Sequence, residues 1–295
     1  MKKIIPLILL AAIVISSCSE LKRNNPYDPG GSAYRGVTYK GDISYPDSTS
    51  ITAMIYNEGG LCFGAYDSIK GDCVIKMAGG VPDYIGSTGD APGQFRSIQD
   101  ICADASGNIF VVDDKNMVQV ISVSNSISSW NLTNVTVPAN KLFIASYGGK
   151  IYVTSSVDKK IFEYTEAGIF IDSLDLSSTA YGPFTPGREF VSAGHVYVVN
   201  AESQDQIVRL TGGLVQDGLF DEGDYIYDAS FNGAQDELIS SGAVYNVDES
   251  MVLSLKWGNF GVGPGIVLDG KLIACDPASG DTYVLDGRTI KRFGE

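Results

Sequence analysis

Histidine occurs once in this 295-residue sequence, at His195, and no Cys-x-x-Cys pair occurs at all. A structural zinc site built from Cys and His needs four such ligands, so that class is not expected here. A Ser-His-Asp triad needs its imidazole within hydrogen-bond reach of a nucleophile. Nothing in the sequence pairs His195 with one, and it reads as a surface residue. Basic residues are also scarce, 21 against 35 acidic ones, giving a formal net charge of −14. Such a surface repels phosphate backbones, so no nucleic-acid partner is expected. Charged residues of both signs make up only 19%, which does not suit a disordered chain. Past Ile15 no apolar run reaches the length of a membrane span. The glycine-rich stretches at 86–93 and 263–265 lack the Lys-Ser/Thr and the strand-to-helix setting of a phosphate loop.

What is present is most specific at the start. MKKIIPLILLAAIVISSCSE carries two lysines, an apolar run from Ile4 to Ile15, and small residues before a cysteine. That is the layout of an export signal, and the run is shorter than the roughly 20 residues a spanning helix needs. Ile15-Ser16-Ser17-Cys18 resembles the lipobox of bacterial lipoproteins. The resemblance implies a signal peptide over 1–17, cleavage before Cys18 and acylation of its thiol. With Ser19 rather than aspartate next, it implies sorting to the outer membrane, facing the periplasm or the surface. Several acyl chains would give a lasting membrane anchor. Residues 18–35 then form a lipidated, Pro- and Gly-rich flexible tether, and 36–295 form the folded domain.

Four cysteines remain in that domain. Cys62 and Cys73 flank an expected hairpin turn, and export to an oxidising compartment admits a disulfide between them. Cys102 and Cys275 lie in apolar runs and read as buried free thiols.

The domain is repetitive. A glycine followed by a short strand, a polar turn and a second strand recurs at Gly60, Gly107, Gly149, Gly194 and Gly270, with a poorer copy near Gln235. From Gly60 to Gly270 the copies average 42 residues. A period of 40–45 with short strands indicates the blades of a β-propeller. The expected fold is therefore all-β, a six-bladed β-propeller of four-stranded antiparallel blades. The last blade reads as having four strands of its own, with residues 37–44 as an extra strand on its edge.

Residues 85–121, IGSTGDAPGQFRSIQDICADASGNIFVVDDKNMVQVI, resemble an NHL repeat. Gly86, Gly89, Gly93, Phe95, Asp104, Gly107, Asn108, Val111, Asp113, Asn116 and Val118 carry the resemblance. Ile98 stands where proline is usual, and Met117 where arginine is common. The resemblance implies propeller architecture. Such propellers host binding modules and enzymes alike.

Six residues past each aligned glycine stand Tyr66, Asp113, Ser155, Asn200 and Asp276. Four of the five are small oxygen-bearing side chains at a turn, where they can bind backbone N–H groups and fix it. If these turns ring the channel mouth, Asp67, Asp113, Asp114, Asp158, Asn200, Glu202 and Asp276 form a ligand-binding set. Converging carboxylates and amides are suited to Ca²⁺, and resemblance to six-bladed lactonases implies metal-activated water. The expected function is a binding module of the cell envelope, for a protein, peptide or glycan, with no cofactor. The alternative is a Ca²⁺-dependent hydrolase, lactonase or lyase on the same fold.

Overall fold

The structure, a computed structural model, describes residues 37–294 apart from 137–140, 181, 204, 222–225, 232–235, 241–242, 248–252 and 258–266. Cys18, the export signal and the tether lie outside the described residues. Among those described, all regular structure is β-strand. The strand-forming runs are rich in Val, Ile, Phe and Tyr, as in Ile109–Val112 (IFVV) and Lys150–Ser155 (KIYVTS). The inner two strands of a sheet are covered on both faces by neighbouring sheets, so they read as near-continuous apolar runs. Outer strands such as Ile127–Asn131 and Phe170–Asp175 carry the exposed positions.

Among the described residues the main strands form six four-stranded antiparallel sheets. Their inner strands are Thr49–Asn57, Asp100–Ala103, Leu142–Tyr147, Pro186–Ser192, Ile226–Phe231 and Gly270–Cys275. Each packs beside the next in that order, and the last packs beside the first. The buried apolar residues follow the same circuit. They fall into six clusters, each between two neighbouring sheets. The architecture is an all-β propeller of four-stranded antiparallel blades.

The final sheet corrects the sequence reading. It has three strands from the C-terminal region, Gly270–Cys275, Thr282–Asp286 and Thr289–Gly294. Its outer strand is Thr38–Ile43, which pairs with Thr289–Gly294 from Thr38 opposite Gly294 to Ile43 opposite Ile290. The N-terminal strand is thus the fourth strand of the blade and not an addition to it. Gly270 opens the innermost strand here, whereas Gly60 opens the second strand of its sheet and the other aligned glycines stand one or two residues before theirs.

The Cys62–Cys73 disulfide is also corrected. Ala65, not Cys62, stands opposite Cys73, while Cys62 faces Lys76, three ladder positions away. Strands rise about 3.3 Å per residue, so the two lie too far apart along the ladder to be bridged. They also face opposite ways, Cys62 into the contact with the second sheet and Cys73 into the contact with the last. All four domain cysteines are buried free thiols. In the folded chain, therefore, 62, 73, 102 and 275 are expected not to react with a thiol reagent within minutes, and all four to react in guanidinium. A native reaction at any of the four would contradict this packing.

Between the first and second sheets the chain crosses through Gly86–Phe95. Gly86 has φ +87°, and a Cβ there would lie 2.4 Å from the Phe95 ring, which is fully buried. Glycine is required by both the backbone and the space.

Candidate functional site

The predicted turn residues are built into a repeated latch. Among the described residues, at or just past the end of the second strand in five of the sheets, a side-chain oxygen reaches back to the connector entering the same sheet. Asp67 accepts the Ser48 hydroxyl at 2.7 Å and the Ile69 and Lys70 N–H groups at 2.9 Å each. Asp113 accepts the N–H of Arg96 at 3.2 Å and of Lys115 at 3.0 Å, and its carboxylate lies 3.2 Å from the Lys115 ammonium. Asn200 accepts from the N–H groups of Thr185 and Glu202, and Glu202 accepts the Thr185 hydroxyl. In the third sheet Ser155 donates to Asp158, which also takes the N–H and hydroxyl of Thr136. Asp114 accepts from the exposed Arg96 guanidinium.

These environments leave their mark on acidity. Asp67 is held down to about 2 by the Ser48 hydroxyl and then the Lys70 N–H. Burial pushes Asp113 up, against the pull of the Lys115 backbone and ammonium. For Asp158, burial is outweighed by bonds from Thr136 and Ser155, and its carboxyl sits low.

Asp276 is not part of this set. Because Gly270 opens an inner strand, Asp276 ends that strand and lies at the opposite end of the blades. There it binds the Ala278 N–H, the Ser279 hydroxyl and the Tyr56 hydroxyl. The residue of the last sheet that occupies the latch position is Asp286, which accepts the N–H groups of Leu268 and Asp269 at 3.1 and 2.6 Å. Each acid of the predicted mouth is thus committed to its own turn, and the seven do not converge. Among the described residues no group of three His, Cys, Asp or Glu side chains is arranged to hold a metal ion.

The latch makes a direct prediction. Asp113→Ala leaves two backbone N–H groups without their acceptor and a largely buried ammonium, still bonded to the Gly89 and Gln94 carbonyls, without its carboxylate, and is expected to lower unfolding free energy by about 2–3 kcal/mol. Asp114→Ala, at an exposed ion pair, is expected to cost about 0–1 kcal/mol. Urea denaturation of both variants checks the contrast, and equal losses would contradict it.

The concave site lies on the axis. A cavity of about 290 Å³ is lined by residues from all six inner strands, Met54, Cys102, Ile144, Phe190, Asp228 and Ile273 among them. Asp100, Arg188 and Asp228 converge at the end of it nearer the start of those strands. The Arg188 Nη1 lies 2.9 Å from Asp100 and 3.6 Å from Asp228. The second oxygen of each carboxylate caps the inner edge of the next sheet: Asp100 accepts the Ile144 N–H at 3.1 Å, and Asp228 accepts the Ile273 N–H at 2.9 Å. The guanidinium carbon sits 5.4 Å from the centre of the Phe143 ring. Toward the other end stand Phe190, stacked on Tyr197 at 4.8 Å, and Tyr56, stacked on Tyr283 at 5.5 Å.

Burial raises both carboxyls, Asp228 to about 6, against the opposing pull of Arg188 and the backbone N–H groups. For Arg188, burial is outweighed by Asp100 and Asp228, so its charge is held more firmly than usual. Burial drives Glu189 well above the ordinary range; its carboxyl faces Thr154 in the third sheet, accepting from the hydroxyl at 2.6 Å. Burial likewise lifts Cys102 far up, so its thiol is no nucleophile. The site offers a fixed guanidinium and aromatic walls. It can orient a polar group by hydrogen bonds.

The sequence reading missed Asp100, Arg188 and Asp228. Their signal was partial: each is a charged residue at or near the start of a strand that continues into apolar residues, and charges that deep are seldom unpaired. His195 is a partly exposed surface residue, 3.0 Å from Asp217 of the same sheet.

No family model matches the chain, and no curated protein matches it. Solved structures do. A streptogramin B lyase superposes with TM-score 0.63 at 10% identity, over 86% of this chain and 96% of that one. Virginiamycin B lyase from Staphylococcus aureus, in a catalytically inactive form with quinupristin, gives 0.58 at 9% identity over 86% and 98%. A nidogen/laminin complex gives 0.55 at 14% identity over 70% and 79%. At these identities the likeness shows the propeller fold alone.

Proposed function

We propose that this chain is a binding propeller of the bacterial cell envelope, with the six sheets as six NHL-like blades and a lipidated Cys18 holding it to the outer membrane. Its ligand is an envelope protein, peptide or glycan, one polar group of which enters the axial cavity. The observation that carries the reading is Arg188. Asp100 and Asp228 hold one of its nitrogens, and its other N–H groups meet no further acceptor among the described residues while the side chain borders the cavity. A carbonyl, hydroxyl or carboxylate brought there completes the guanidinium's bonding. Among the structural neighbours, the nidogen/laminin complex is an assembly of proteins. The streptogramin and virginiamycin B lyases show that catalysis also occurs on this fold. For this chain binding is favoured, because its predicted acids are each taken up by local bonds and do not converge.

The test is to probe peptide and glycan arrays with the full chain. Ser146→Phe, which places a ring in the cavity while leaving Arg188 intact, is expected to lower binding at least tenfold. Arg209→Gln, at the exposed pair with Asp217, is expected to leave it unchanged. Undiminished binding by the cavity-filled variant overturns the reading. So does metal-dependent turnover of lactones, which would establish the hydrolase alternative.

A further inference from the structure

One end of the blades carries a repeated apolar feature. The turns joining third to fourth strands all lie at that end. In each of the four sheets where this turn is described, a β-branched apolar residue in it, or in the first position of the strand that follows, is exposed: Val81, Val123, Ile169 and Val215, at 69, 50, 66 and 63% exposure. They stand in four successive sheets, 42 to 46 residues apart. Tyr147, 42% exposed, ends the inner strand of the third sheet at the same end. Isolated exposed apolar residues need no explanation, but recurrence at one structural position on neighbouring blades does.

The path of the chain indicates what covers them. The outer strand Thr38–Ile43 begins opposite Gly294, and Phe293 stands opposite Thr282, the residue that opens the second strand of that sheet. Thr38 therefore lies at the same end as the four tips. Residues 18–36, with the cysteine of the lipobox-like motif at their head, join the domain on that face. A chain acylated at Cys18 would present this face, and not the latch face, to the lipid. The net charge of −14 disfavours an anionic surface.

We infer that the face bearing Val81, Val123, Ile169 and Val215 rests on a zwitterionic lipid surface, with the four tips in the headgroup boundary and Tyr147 beside them. This rests on the envelope-anchor part of the proposed function and adds an orientation to it. Apolar groups entering the interface gain from burial, and a tether too short to let the domain drift away keeps their local concentration high. The orientation leaves the latch face turned away from the membrane. Exposed apolar residues occur there too, at Ile69, Val157 and Leu268. They do not run through successive sheets: Ile69 and Val157 lie in turns between second and third strands of the first and third sheets, and Leu268 lies in a connector; Ile69 and Leu268 serve as the control.

The experiment uses the full acylated chain in phosphatidylcholine/phosphatidylethanolamine vesicles containing brominated lipid. Val81→Trp and Ile169→Trp are expected to lose at least half of their added emission to the quencher. Ile69→Trp and Leu268→Trp are expected to lose less than a tenth. Retention on vesicles is read in parallel for the full chain and for Cys18→Ala. If the chain is retained through Cys18 but the two faces quench alike, or only the latch face quenches, the orientation is wrong and the anchor stands. If neither chain is retained, the anchor falls and the orientation falls with it.

Discussion

Arg188→Met is expected to lose about 3–5 kcal/mol of unfolding free energy at pH 7.5 and to regain most of it at pH 5. The loss comes from what is left behind. Asp100 and Asp228 are buried and spend one oxygen each on a neighbouring inner strand, at Ile144 and Ile273. Their other oxygens depend on the guanidinium. Methionine matches the stem of arginine but removes the charge, so two carboxylates remain in a poorly solvated axis without a cation. The sign of the pH effect follows from Asp228. Its carboxyl lies at about 6 in the folded chain, above the 3.8 it has when free. A group raised in this way favours folding below its unfolded value, and that contribution is lost as pH rises through about 6. Removing Arg188 takes away a term that lowers the carboxyl, so the variant's midpoint rises further. Asp100, also raised by burial, loses the same counter-charge, so lowering the pH moves both acids toward the neutral form, and neutral carboxyls are far cheaper to bury. Guanidinium unfolding of wild type and variant at the two pH values reads the difference directly. Asp100→Asn and Asp228→Asn added to Arg188→Met should recover stability at pH 7.5. A variant equally destabilised at both pH values would show that Arg188 acts through packing on Phe143 alone.

How far these groups could be read from sequence depends on where their partners lie. The strand-turn-strand units after Gly60, Gly107, Gly149 and Gly194 were legible because all their information is local. Each is an apolar run, a polar turn and another apolar run, and each forms the second and third strands of a sheet. The same locality misled at Gly270. A hairpin of first and second strands has the same pattern as one of second and third, and nothing within residues 270–286 tells them apart. The ambiguity is resolved only by Thr38–Ile43, some 250 residues away, which fills the outer place. Asp276 was consequently assigned to the wrong end, and Asp286 was passed over. Asp113 was legible as a turn residue, and its bonds to Arg96 and Lys115 are what that reading anticipates. The axial group was not. Arg188 and Asp100 are 88 residues apart, on the inner strands of the fourth and second sheets, and only the ring arrangement lets them meet across the axis.

Deleting that outer strand is the largest single change the fold can be asked to bear. A chain starting at Pro46 is expected to be mostly unfolded or aggregated at 25 °C, and a peptide spanning 36–45 added in trans is expected to restore a cooperative melt. Thr38–Ile43 supplies five ladder pairs to Thr289–Gly294. Just before it, Val37 is buried in the contact between the fifth and last sheets, where Tyr39 packs against it and meets Phe293 at 5.7 Å. Lys40 reaches Asp281 at 2.6 Å, a buried carboxylate otherwise held by Arg292. Burial of the two apolar side chains alone is worth about 3–6 kcal/mol, against a total stability of about 5–15 kcal/mol for a typical domain. The cost reaches beyond the missing contacts. Without its outer strand the last sheet presents an unpaired edge along Thr289–Gly294, a template for pairing with another copy. That sheet also packs against both the first and the fifth, so its loosening opens the ring on two sides. Circular dichroism melts of the shortened chain, with and without the peptide, decide the matter. A shortened chain that melts within a few degrees of the whole one would mean that the three C-terminal strands close the ring unaided.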